Sequence, residues 1–428
     1  MHHVIIGAGP AGVIAAETLR KADGASRVTI VGDEQEPPYS RMAIPYLLAD
    51  DIDEAGTYLR KQDSHYEDCG VNIIRDRVKR VDRGSKMLVL AGARTLTYDK
   101  LLVASGSHPA VPPIPGVDLP GVHPCWTLED ARHILGLAQR GAPVLLMGAG
   151  FIGCIILEAL VRRRVDLTVV EMENRMVPRM LDETAGSHLK RWCQTKGITV
   201  HTSARVEAIE RGSGSNLVAR LDNGVTVEAA LIIRATGVAP NVDFLEGSGI
   251  EIGDGVRVDQ HLRSTDPDIF AAGDVAEGRD FSTGGYSVHA IQPTAADHAR
   301  VAALNMAGRS VVHQGSVNMN VLDTVGLVSC SFGLWMGVDG GTSAVLDSPE
   351  NYRYVNLQFE DDVLVGASTL GHTESVGILR GLIQSRLRLG KWADRLREDP
   401  TRIGEAYVAR RQTVGANAYA FALGPVTH

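Results

Sequence analysis

The sequence predicts an α/β protein that contains two βαβ units and a smaller α+β region at its C-terminal end. An apolar run, Val4–Ile6, stops at a glycine turn, Gly7–Gly12, and the small residues that follow are typical of a helix. The same order returns where Pro143–Met147 precedes Gly148–Gly153. From Ser316 onward, short strand patterns and a helical tail replace the βαβ order.

Both turns have the form Gly-x-Gly-x-x-Gly between a strand and a helix, which is typical of Rossmann-like dinucleotide-binding domains. The first glycine permits the tight bend, the second lets the backbone approach a pyrophosphate, and the third lets helix and strand pack closely. The helix N-terminus stabilises the phosphate charge. One such motif is weak evidence, but two in one chain predict two bound dinucleotides. The turn residues are Gly7, Gly9, Pro10, Ala11 and Gly12, and then Gly148, Gly150, Phe151, Ile152 and Gly153.

The composition is that of an ordinary soluble enzyme, and its 428 residues are enough for two or three domains. A net charge of −8 argues against a nucleic-acid partner. No apolar run is long enough to span a bilayer, and the chain enters a strand at once instead of a signal peptide. We therefore expect a cytoplasmic enzyme.

The cysteines form no Cys-x-x-Cys or Cys-x4-Cys pair, which predicts buried or incidental thiols in a reducing compartment and no metal site. They are Cys69, Cys125, Cys154, Cys193 and Cys330.

The acid that binds a ribose lies near the end of the second strand of a dinucleotide-binding unit. In the first unit that strand is Val28–Val31, and the candidates that follow it are Asp33 and Glu34, with a solvated loop acid as the alternative. Arg41 lies in the proline-rich loop beyond, where a guanidinium can pair with a pyrophosphate. Its alternative is an ordinary surface arginine.

The second unit places Glu171 directly after its second strand, Leu167–Val170. A carboxylate at this position accepts hydrogen bonds from an adenosine ribose and repels a 2′-phosphate. It therefore favours NADH over NADPH.

Three further apolar strands end on small residues, in Leu101–Gly106, Ala230–Gly237 and Ile269–Asp274. The first two are alike, so each is expected to close one dinucleotide-binding half. Asp274 is a candidate acceptor for a sugar or ribitol hydroxyl. The helix predicted near Gln292 would point its N–H groups at an electron-rich ring edge.

The remaining sequence patterns concern a domain boundary, the C-terminal tail and a series of short strands. Six prolines in the segment Pro109–Pro124 predict a linker and a domain boundary. The basic residues of the predicted tail helix, Glu374–Arg397, form either a solvated face or a docking patch for an acidic carrier protein. Short strands are predicted at 72–75, 78–81, 86–90, 95–98, 200–201, 204–211, 216–221, 226–228, 318–322, 326–329, 352–359 and 363–368.

Several motifs together resemble those of the FAD-dependent pyridine nucleotide-disulphide oxidoreductase superfamily. They are the two glycine turns, Glu171, the Ala-Thr-Gly turn Ala235–Gly237 and the segment Thr265–Asp274. The resemblance runs from Met1 to about Gly308, and its motifs occur in the family's order and spacing. It implies an FAD domain made of residues 1–110 and 235–315, and an inserted NAD(H) domain of residues 111–234. It also implies a third domain, 316–428, that forms a homodimer interface. Hydride would pass from the nicotinamide to the flavin.

The resemblance also implies roles for individual residues. Those expected at FAD are Gly7, Gly9, Pro10, Ala11, Gly12, Asp33, Glu34, Arg41, Ala104, Ser105, Gly106, Gly273, Asp274 and Gln292. Those expected at NAD are Gly148, Gly150, Phe151, Ile152, Gly153, Glu171, Ala235, Thr236 and Gly237. The flavin carries the chemistry, so no side chain is assigned as catalytic. Tyr46 and His289 are candidates near the ring, and a structural role is the alternative for His289.

Three departures from the family pattern indicate which branch of the family the chain resembles. Met42 takes the place of the redox cysteine, and a thioether forms neither a thiolate nor a mixed disulphide. The motif Pro38–Arg41 resembles the Pro-Tyr-x-Arg of ferredoxin and rubredoxin reductases and of the FAD-binding part of NADH nitrite reductases, although Tyr46 replaces their usual lysine. Ile155 replaces the glutamate expected near the nicotinamide, which predicts weaker NADH binding or a remodelled site. Cys154 beside it is interpreted as a buried small hydrophobe.

The leading hypothesis is an enzyme that passes electrons from NADH through FAD to a small redox protein of the rubredoxin or ferredoxin type, without a redox-active cysteine. A second hypothesis is an NADH oxidase or quinone or dye reductase that acts directly at the flavin. A third is a flavoprotein subunit of a larger electron-transfer complex with weak NADH turnover.

Overall fold

The structure is a computed structural model that describes residues 1–214 and 216–414. The chain divides into two compact units that alternate along the sequence. The first contains Met1–Pro112, Pro124–Gly136 and Thr236–Ser316, and the second contains Pro113–His123, Leu137–Ala235 and the chain from Val317 onward.

The described residues form short strands and helices in the alternating order that the sequence predicts. The strands are β1 (His2–Ile6), β2 (Arg27–Gly32), β3 (Val71–Arg75), β4 (Val78–Asp82), β5 (Met87–Leu90), β6 (Thr95–Thr97), β7 (Lys100–Val103), β8 (Ser107–Pro109), β9 (Val122–Pro124), β10 (Pro143–Met147), β11 (Asp166–Val170), β12 (Thr199–His201), β13 (Val206–Arg211), β14 (Leu217–Leu221), β15 (Thr226–Ala229), β16 (Leu231–Arg234), β17 (Val238–Pro240), β18 (Val256–Arg257), β19 (Ile269–Ala271), β20 (Ala276–Arg279), β21 (Tyr286–Val288), β22 (Met319–Thr324), β23 (Leu327–Gly333), β24 (Thr342–Ser348), β25 (Arg353–Glu360) and β26 (Val363–Leu370). The helices are α1 (Pro10–Ala22), α2 (Ile44–Leu48), α3 (His65–Asp68), α4 (Leu128–Leu137), α5 (Phe151–Arg162), α6 (Glu183–Thr195), α7 (Gln292–Met306), α8 (Val376–Ser385), α9 (Lys391–Glu398) and α10 (Ile403–Val414).

The first unit is organised around a parallel sheet in the order β19-β7-β1-β2-β3. The central strand β1 is buried along its whole length, as expected for a strand covered on both faces. Helices α1 and α7 pack against each other and bury alanines such as Ala15 and Ala299 in the same core. Small side chains let helices approach closely, which explains the small-residue run after the first glycine turn.

The second unit contains a similar sheet in the order β12-β11-β10-β16-β9, in which β12, β11, β10 and β16 are parallel. Strand β10 leads into the second glycine turn and α5. The antiparallel strands β13, β14 and β15 share a hydrophobic core with one face of this sheet, through residues such as Leu145, Met147 and Ile232.

The C-terminal region of the second unit is an antiparallel sheet in the order β22-β23-β26-β25-β24. Helices α8, α9 and α10 share a core with this sheet, to which Phe332, Leu357 and Leu382 contribute. The predicted fold class is confirmed: two parallel α/β sheets are followed by an α+β region.

Two predictions about the C-terminal region are wrong. The sequence analysis missed β24, an edge strand that carries polar residues and is largely exposed, so its hydrophobic alternation is weak. The predicted tail helix Glu374–Arg397 is two helices, because Arg386 ends α8 in a left-handed conformation at φ 48° and Gly390 precedes α9 at φ 56°. Beyond them the chain continues into α10.

Several basic side chains of this tail are paired within the chain. Arg388 contacts Asp362 at 2.8 Å, and Arg397 contacts Asp394 at 2.7 Å. Because these charges are partly neutralised, they favour the solvated-face interpretation over a docking patch. In the described ranges, no helix is both long enough and apolar enough to cross a bilayer.

Candidate dinucleotide sites

The first glycine turn accepts only glycine at its two ends. Gly7 has a φ of +111°, and a β-carbon built on it would lie 2.1 Å from the carbonyl oxygen of Ala104. A β-carbon on Gly12 would lie 1.9 Å from the carbonyl oxygen of Gly7. Both obstacles are backbone atoms of the core sheet and its turn, so they cannot move aside as a flexible side chain could. The first and third glycines therefore act as the motif requires.

The middle glycine of this turn faces open space. A β-carbon on Gly9 would meet no atom within 4 Å. Gly9 is also the N-cap of α1, and no side chain caps the helix. The first N–H groups of α1 thus lack the partner that a serine or aspartate cap would supply. An uncapped helix start beside an unfilled turn fits the pyrophosphate of a dinucleotide.

The second turn repeats this geometry. Gly148 has a φ of +99°, and a β-carbon on Gly153 would lie 2.2 Å from the carbonyl oxygen of Gly148. Gly150 has no atom within 4 Å of such a β-carbon, and it is the N-cap of α5 without a side-chain cap. The two glycine turns therefore have the same local geometry, and each fits a pyrophosphate.

Glu171 is tied to the second turn by its own carboxylate. One oxygen accepts a hydrogen bond from the backbone N–H of Ala149 at 2.7 Å, and the other accepts one from the N–H of Glu173 at 2.9 Å. The residue is only 6% exposed. Each carboxylate oxygen retains a second lone pair, so Glu171 can still accept from a ribose hydroxyl while it holds the turn. The sequence analysis missed this second role.

We expect the wild-type protein to prefer NADH over NADPH by more than about tenfold in kcat/KM, because a desolvated clash of like charges costs a few kcal/mol. Glu171→Ala should reduce this preference and also raise the KM for NADH, since the turn loses its acceptor. Steady-state kinetics with both coenzymes check the result, and Glu173→Gln is the control because that nearby side chain is exposed. Equal kcat/KM values for NADH and NADPH in the wild type would contradict the assignment.

The two acids after β2 have different surroundings. Asp33 is exposed and contacts Arg77 at 2.8 Å. Glu34 accepts hydrogen bonds from Arg41 at 2.6 Å and from the hydroxyl of Tyr39. The predicted role of either acid at a ribose stays a prediction.

Arg41 is held from several directions. It also donates to the carbonyl oxygen of Trp126 at 2.8 Å, and its guanidinium lies 5.5 Å from the ring centroids of both Tyr39 and Trp126. Burial raises the pKa of Tyr39, so its hydroxyl stays protonated and donates to Glu34. Arg41 is therefore not an ordinary solvated arginine, although its link to a pyrophosphate stays a prediction. No motif indicated Trp126, which comes from a distant part of the chain.

Asp274 lies in a single 3-10 turn, Gly273–Val275, directly after β19. Burial raises the pKa of its carboxyl, and the hydroxyl of Ser107 donates a hydrogen bond to it at 2.8 Å. A half-buried carboxylate with one oxygen engaged leaves acceptor capacity for a ligand hydroxyl. This fits the predicted ribitol contact. Ser107 was missed, although it directly follows the predicted turn residue Gly106.

The remaining turn residues of the first unit are connected to one another. The hydroxyl of Ser105 donates to the carbonyl oxygen of Asn241 at 2.8 Å, and the amide of Asn241 donates back to Ser105 at 2.8 Å. Gln292 opens α7 and accepts a hydrogen bond from Ser40 at 2.9 Å. Ala104 is buried and Gly106 adopts a φ of +66°. The sequence analysis did not indicate Asn241 or Ser40.

The Ala-Thr-Gly turn falls at the division between the two units, with Ala235 in the second and Thr236 and Gly237 in the first. The N–H of Ala110 donates to the carbonyl oxygen of Gly237 at 2.9 Å. Next to the second glycine turn, Phe151 and Ile152 are half-buried in the first turn of α5. Their predicted contacts with NAD stay predictions.

Tyr46 and His289, the two candidates near the flavin ring, differ in exposure. Tyr46 is 58% exposed, whereas His289 is 9% exposed and its Nε2 lies 3.0 Å from the carboxylate of Asp280. Burial alone would raise the pKa of Asp280, but His289 and two backbone N–H groups hold it below its usual range. This contact favours a structural role for His289.

Met42 is 46% exposed, and Ile155 is half-buried on α5. The interpretation of Cys154 as a buried small hydrophobe is confirmed, since its side chain is fully buried. Among the described residues, no group of three or more His, Cys, Asp or Glu side chains is arranged to hold a metal ion.

Comparisons with known proteins identify the family to which the chain is similar. The pyridine nucleotide-disulphide oxidoreductase family matches residues 1–303. The epsilon subunit of NADH-dependent phenylglyoxylate dehydrogenase from Aromatoleum evansii is 29% identical, over 95% of this chain and 97% of the relative. The ferredoxin–NAD(+) reductase component of the anthranilate 1,2-dioxygenase system from Burkholderia cepacia is 32% identical, over 64% of this chain and 67% of the relative.

Among solved structures, an NAD-dependent persulfide reductase from A. fulgidus superimposes with a TM-score of 0.85 at 27% identity, covering 92% of this chain and 79% of that one. The family predicted from the motifs is therefore confirmed. Two glycine turns of equal geometry, the half-buried Asp274 and a family match over most of the chain lead to one conclusion. The chain belongs to the pyridine nucleotide-disulphide oxidoreductase family.

Proposed function

We propose that this chain is an FAD-dependent NAD(H) oxidoreductase that passes electrons to an external acceptor, and that none of its own thiols takes part. The observation that carries the proposal is the pair of glycine turns, each with an uncapped helix start and open space at its middle glycine. Two such sites fit two dinucleotides. When bound, FAD supplies hydride acceptance and the release of single electrons.

The residues of the chain bind and orient these groups. In the first unit, the turn at Gly9, the carboxylate of Asp274 and the N-terminus of α7 would hold FAD. In the second, the turn at Gly150 and Glu171 would hold NAD(H). We assign FAD to residues 1–110 and 235–315, NAD(H) to 111–234 and a homodimer interface to 316–428, in a cytoplasmic protein.

The thiols of the chain are poorly placed for redox chemistry. Met42 stands at the position where the family resemblance implies a redox cysteine. Four of the five cysteines are buried, and Cys69 is half-buried. Burial raises the pKa of Cys125 and of Cys193 to about 12, so neither forms a thiolate at neutral pH.

A small redox protein of the ferredoxin or rubredoxin type is the acceptor that we favour, because a relative at 32% identity is named as a ferredoxin–NAD(+) reductase component. A specific observation favours a second candidate. The relative that aligns over 95% of this chain is named as a subunit, so the chain can also serve as the flavoprotein of a larger electron-transfer complex.

Anaerobic titration of the FAD-loaded protein with NADH tests the proposal. We expect the flavin absorbance to bleach. Stopped-flow reoxidation by a ferredoxin, a rubredoxin, a quinone or oxygen then ranks the acceptors. Flavin that stays oxidised at millimolar NADH would exclude the enzyme and favour the subunit. Reoxidation by oxygen or quinone that outpaces every carrier protein would instead identify an oxidase or a quinone reductase.

We also expect N-ethylmaleimide to leave NADH-driven flavin reduction unchanged at pH 7. The raised thiol pKa values keep the buried cysteines protonated well above this pH, and burial blocks the reagent. Mass spectrometry should find label only at Cys69, and Cys69→Ser is the matched control that should take up none. Loss of flavin reduction in parallel with labelling would mean that a thiol takes part.

A further inference from the structure

Trp126 lies in Pro124–Gly136, a segment of the first unit that is flanked in sequence on both sides by residues of the second. The carboxylate of Asp130 accepts hydrogen bonds from the backbone N–H groups of Trp126 at 3.1 Å and of Thr127 at 2.8 Å. The hydroxyl of Thr127 in turn accepts one from the N–H of Asp130 at 3.1 Å. This reciprocal cap holds the start of α4 and fixes the backbone of Trp126 beside it.

Trp126 contacts two loops of the first unit at once. Its indole Nε1 donates a hydrogen bond to the carbonyl oxygen of Ser107 at 3.0 Å. Its own carbonyl oxygen accepts one from Arg41 at 2.8 Å, and the guanidinium carbon of Arg41 lies 5.5 Å from the centroid of its ring. A cation over the face of an indole ring is attracted by the π electrons. One residue therefore contacts both the guanidinium of Arg41 and the backbone of Ser107.

Both contacts lead to Asp274, which we propose as a ligand of FAD. The hydroxyl of Ser107 donates a hydrogen bond to the carboxylate of Asp274 at 2.8 Å. Burial raises the pKa of Asp274, while the hydrogen bond from Ser107 and the positive charge of Arg41 oppose this rise. Arg41 is therefore close enough to Asp274 for its charge to act on the carboxylate. Arg41, Trp126, Ser107 and Asp274 form one continuous network.

The backbone that carries this network packs against the first glycine turn. A β-carbon on Gly273, the residue before Asp274, would lie 3.4 Å from the β-carbon of Ala11 in that turn. A β-carbon on Gly32, which ends β2 before the loop that carries the guanidinium, would lie 2.9 Å from the β-carbon of Ala8. The network therefore begins and ends beside the turn that fits a pyrophosphate.

Arg41 retains donors for an anion. Its Nη1 donates to the hydroxyl of Tyr39 at 2.9 Å and to Trp126, and its Nη2 donates to Glu34 at 2.6 Å. A guanidinium carries five N–H groups, so the Nε–H and one Nη2–H make no hydrogen bond among the described residues. Because the other three are held by the protein, these two are oriented in advance, and phosphate oxygens are suitable acceptors for them.

We propose that Trp126 is a positioning residue of the FAD site, a role that rests on the proposed function. Its ring holds the guanidinium of Arg41 toward the pyrophosphate. Its indole N–H fixes Ser107, whose hydroxyl orients the carboxylate of Asp274 toward the ribitol. The alternative is a tryptophan that only anchors α4 by packing, and a phenylalanine would serve that purpose equally well.

Two substitutions separate these contacts. Trp126→Phe keeps an aromatic ring over the guanidinium and loses the indole N–H, whereas Trp126→Leu loses both. Trp392→Phe is the matched control, because Trp392 is also half-buried with the guanidinium of Arg395 over its ring at 4.6 Å, but it belongs to the second unit. Ultrafiltration of the diluted holoprotein, with the fluorescence of the released FAD, measures the Kd for FAD.

We expect Trp126→Phe to raise the Kd for FAD about fivefold, as for one lost hydrogen bond, and Trp126→Leu to raise it about tenfold or more. Trp392→Phe should leave it unchanged. In a Ser107→Ala background, Trp126→Phe should raise the Kd by less than about twofold, because no hydroxyl remains to be oriented. In an Arg41→Met background, Trp126→Leu should raise the Kd no more than Trp126→Phe does, because no guanidinium remains to be held.

Two results would overturn the inference and leave the proposed function standing. One is an unchanged Kd for FAD in Trp126→Leu. The other is a set of losses that multiply independently with those of Ser107→Ala and Arg41→Met, because independent effects indicate a residue that only anchors α4. A wild type that binds no FAD at millimolar concentration would overturn the proposed function together with the inference.

Discussion

Gly12→Ala should yield a protein that retains less FAD through purification than the wild type. The added methyl group would lie 1.9 Å from the carbonyl oxygen of Gly7 and 3.4 Å from the side chain of Ile5. Either α1 moves away from β1 or the turn opens, and both changes displace the N–H groups that face the pyrophosphate. Overpacking of this kind typically costs about 1–3 kcal/mol, so we expect FAD affinity to fall by about tenfold or more.

The absorbance ratio of flavin to protein after purification measures this loss, and the unfolding midpoint shows whether the chain is still folded. Gly381→Ala is the matched control, because a β-carbon there meets no atom within 4 Å and the residue lies inside α8. This control should keep its FAD and gain about 0.5–1 kcal/mol from the better helix former. A yellow, fully loaded Gly12→Ala protein would show that the first turn does not hold FAD.

Gly153→Ala should have a different result, although it makes the same change in the second turn. Its methyl group would lie 2.2 Å from the carbonyl oxygen of Gly148. Because the first unit has its own glycine turn and its own core, we expect FAD content to stay normal while NADH no longer reduces the flavin. The expected loss of NADH affinity is again about tenfold or more, by the same steric argument.

Anaerobic titration with NADH and then with dithionite separates the two steps of this second experiment. Dithionite should bleach the flavin of Gly153→Ala, which shows that the flavin is intact, whereas NADH at wild-type concentrations should not. Reduction by NADH at the wild-type rate would contradict the assignment of NAD(H) to the second turn. Loss of FAD in Gly153→Ala would contradict the separation of the two sites.

Much of the candidate site is predictable from the sequence because the glycine motif is local. Three glycines within six residues, between an apolar run and a helix, determine their own φ angles and their own close contacts. The structure confirms the strand and helix that flank each turn. The burial of Cys154 also followed from its neighbours, since it lies among the buried apolar residues of α5.

The elements that the sequence analysis missed, β24 and the break between α8 and α9, depend on tertiary contacts and not on a local motif. Strand β24 lies at a sheet edge, where side chains need not alternate between apolar and polar. The break between α8 and α9 depends on Arg386, whose left-handed conformation no local preference predicts. In both places the tertiary contacts of the C-terminal region decide the result.

The sequence by itself determined the two glycine turns and the family, because each depends on residue types at short spacing. Only the tertiary structure decided which side chains share a partner. Asp274 meets Ser107 across 167 positions of sequence, and Arg41 meets Trp126 across 85. A charge is isolated or satisfied according to which strands lie side by side, and no spacing within one segment encodes that.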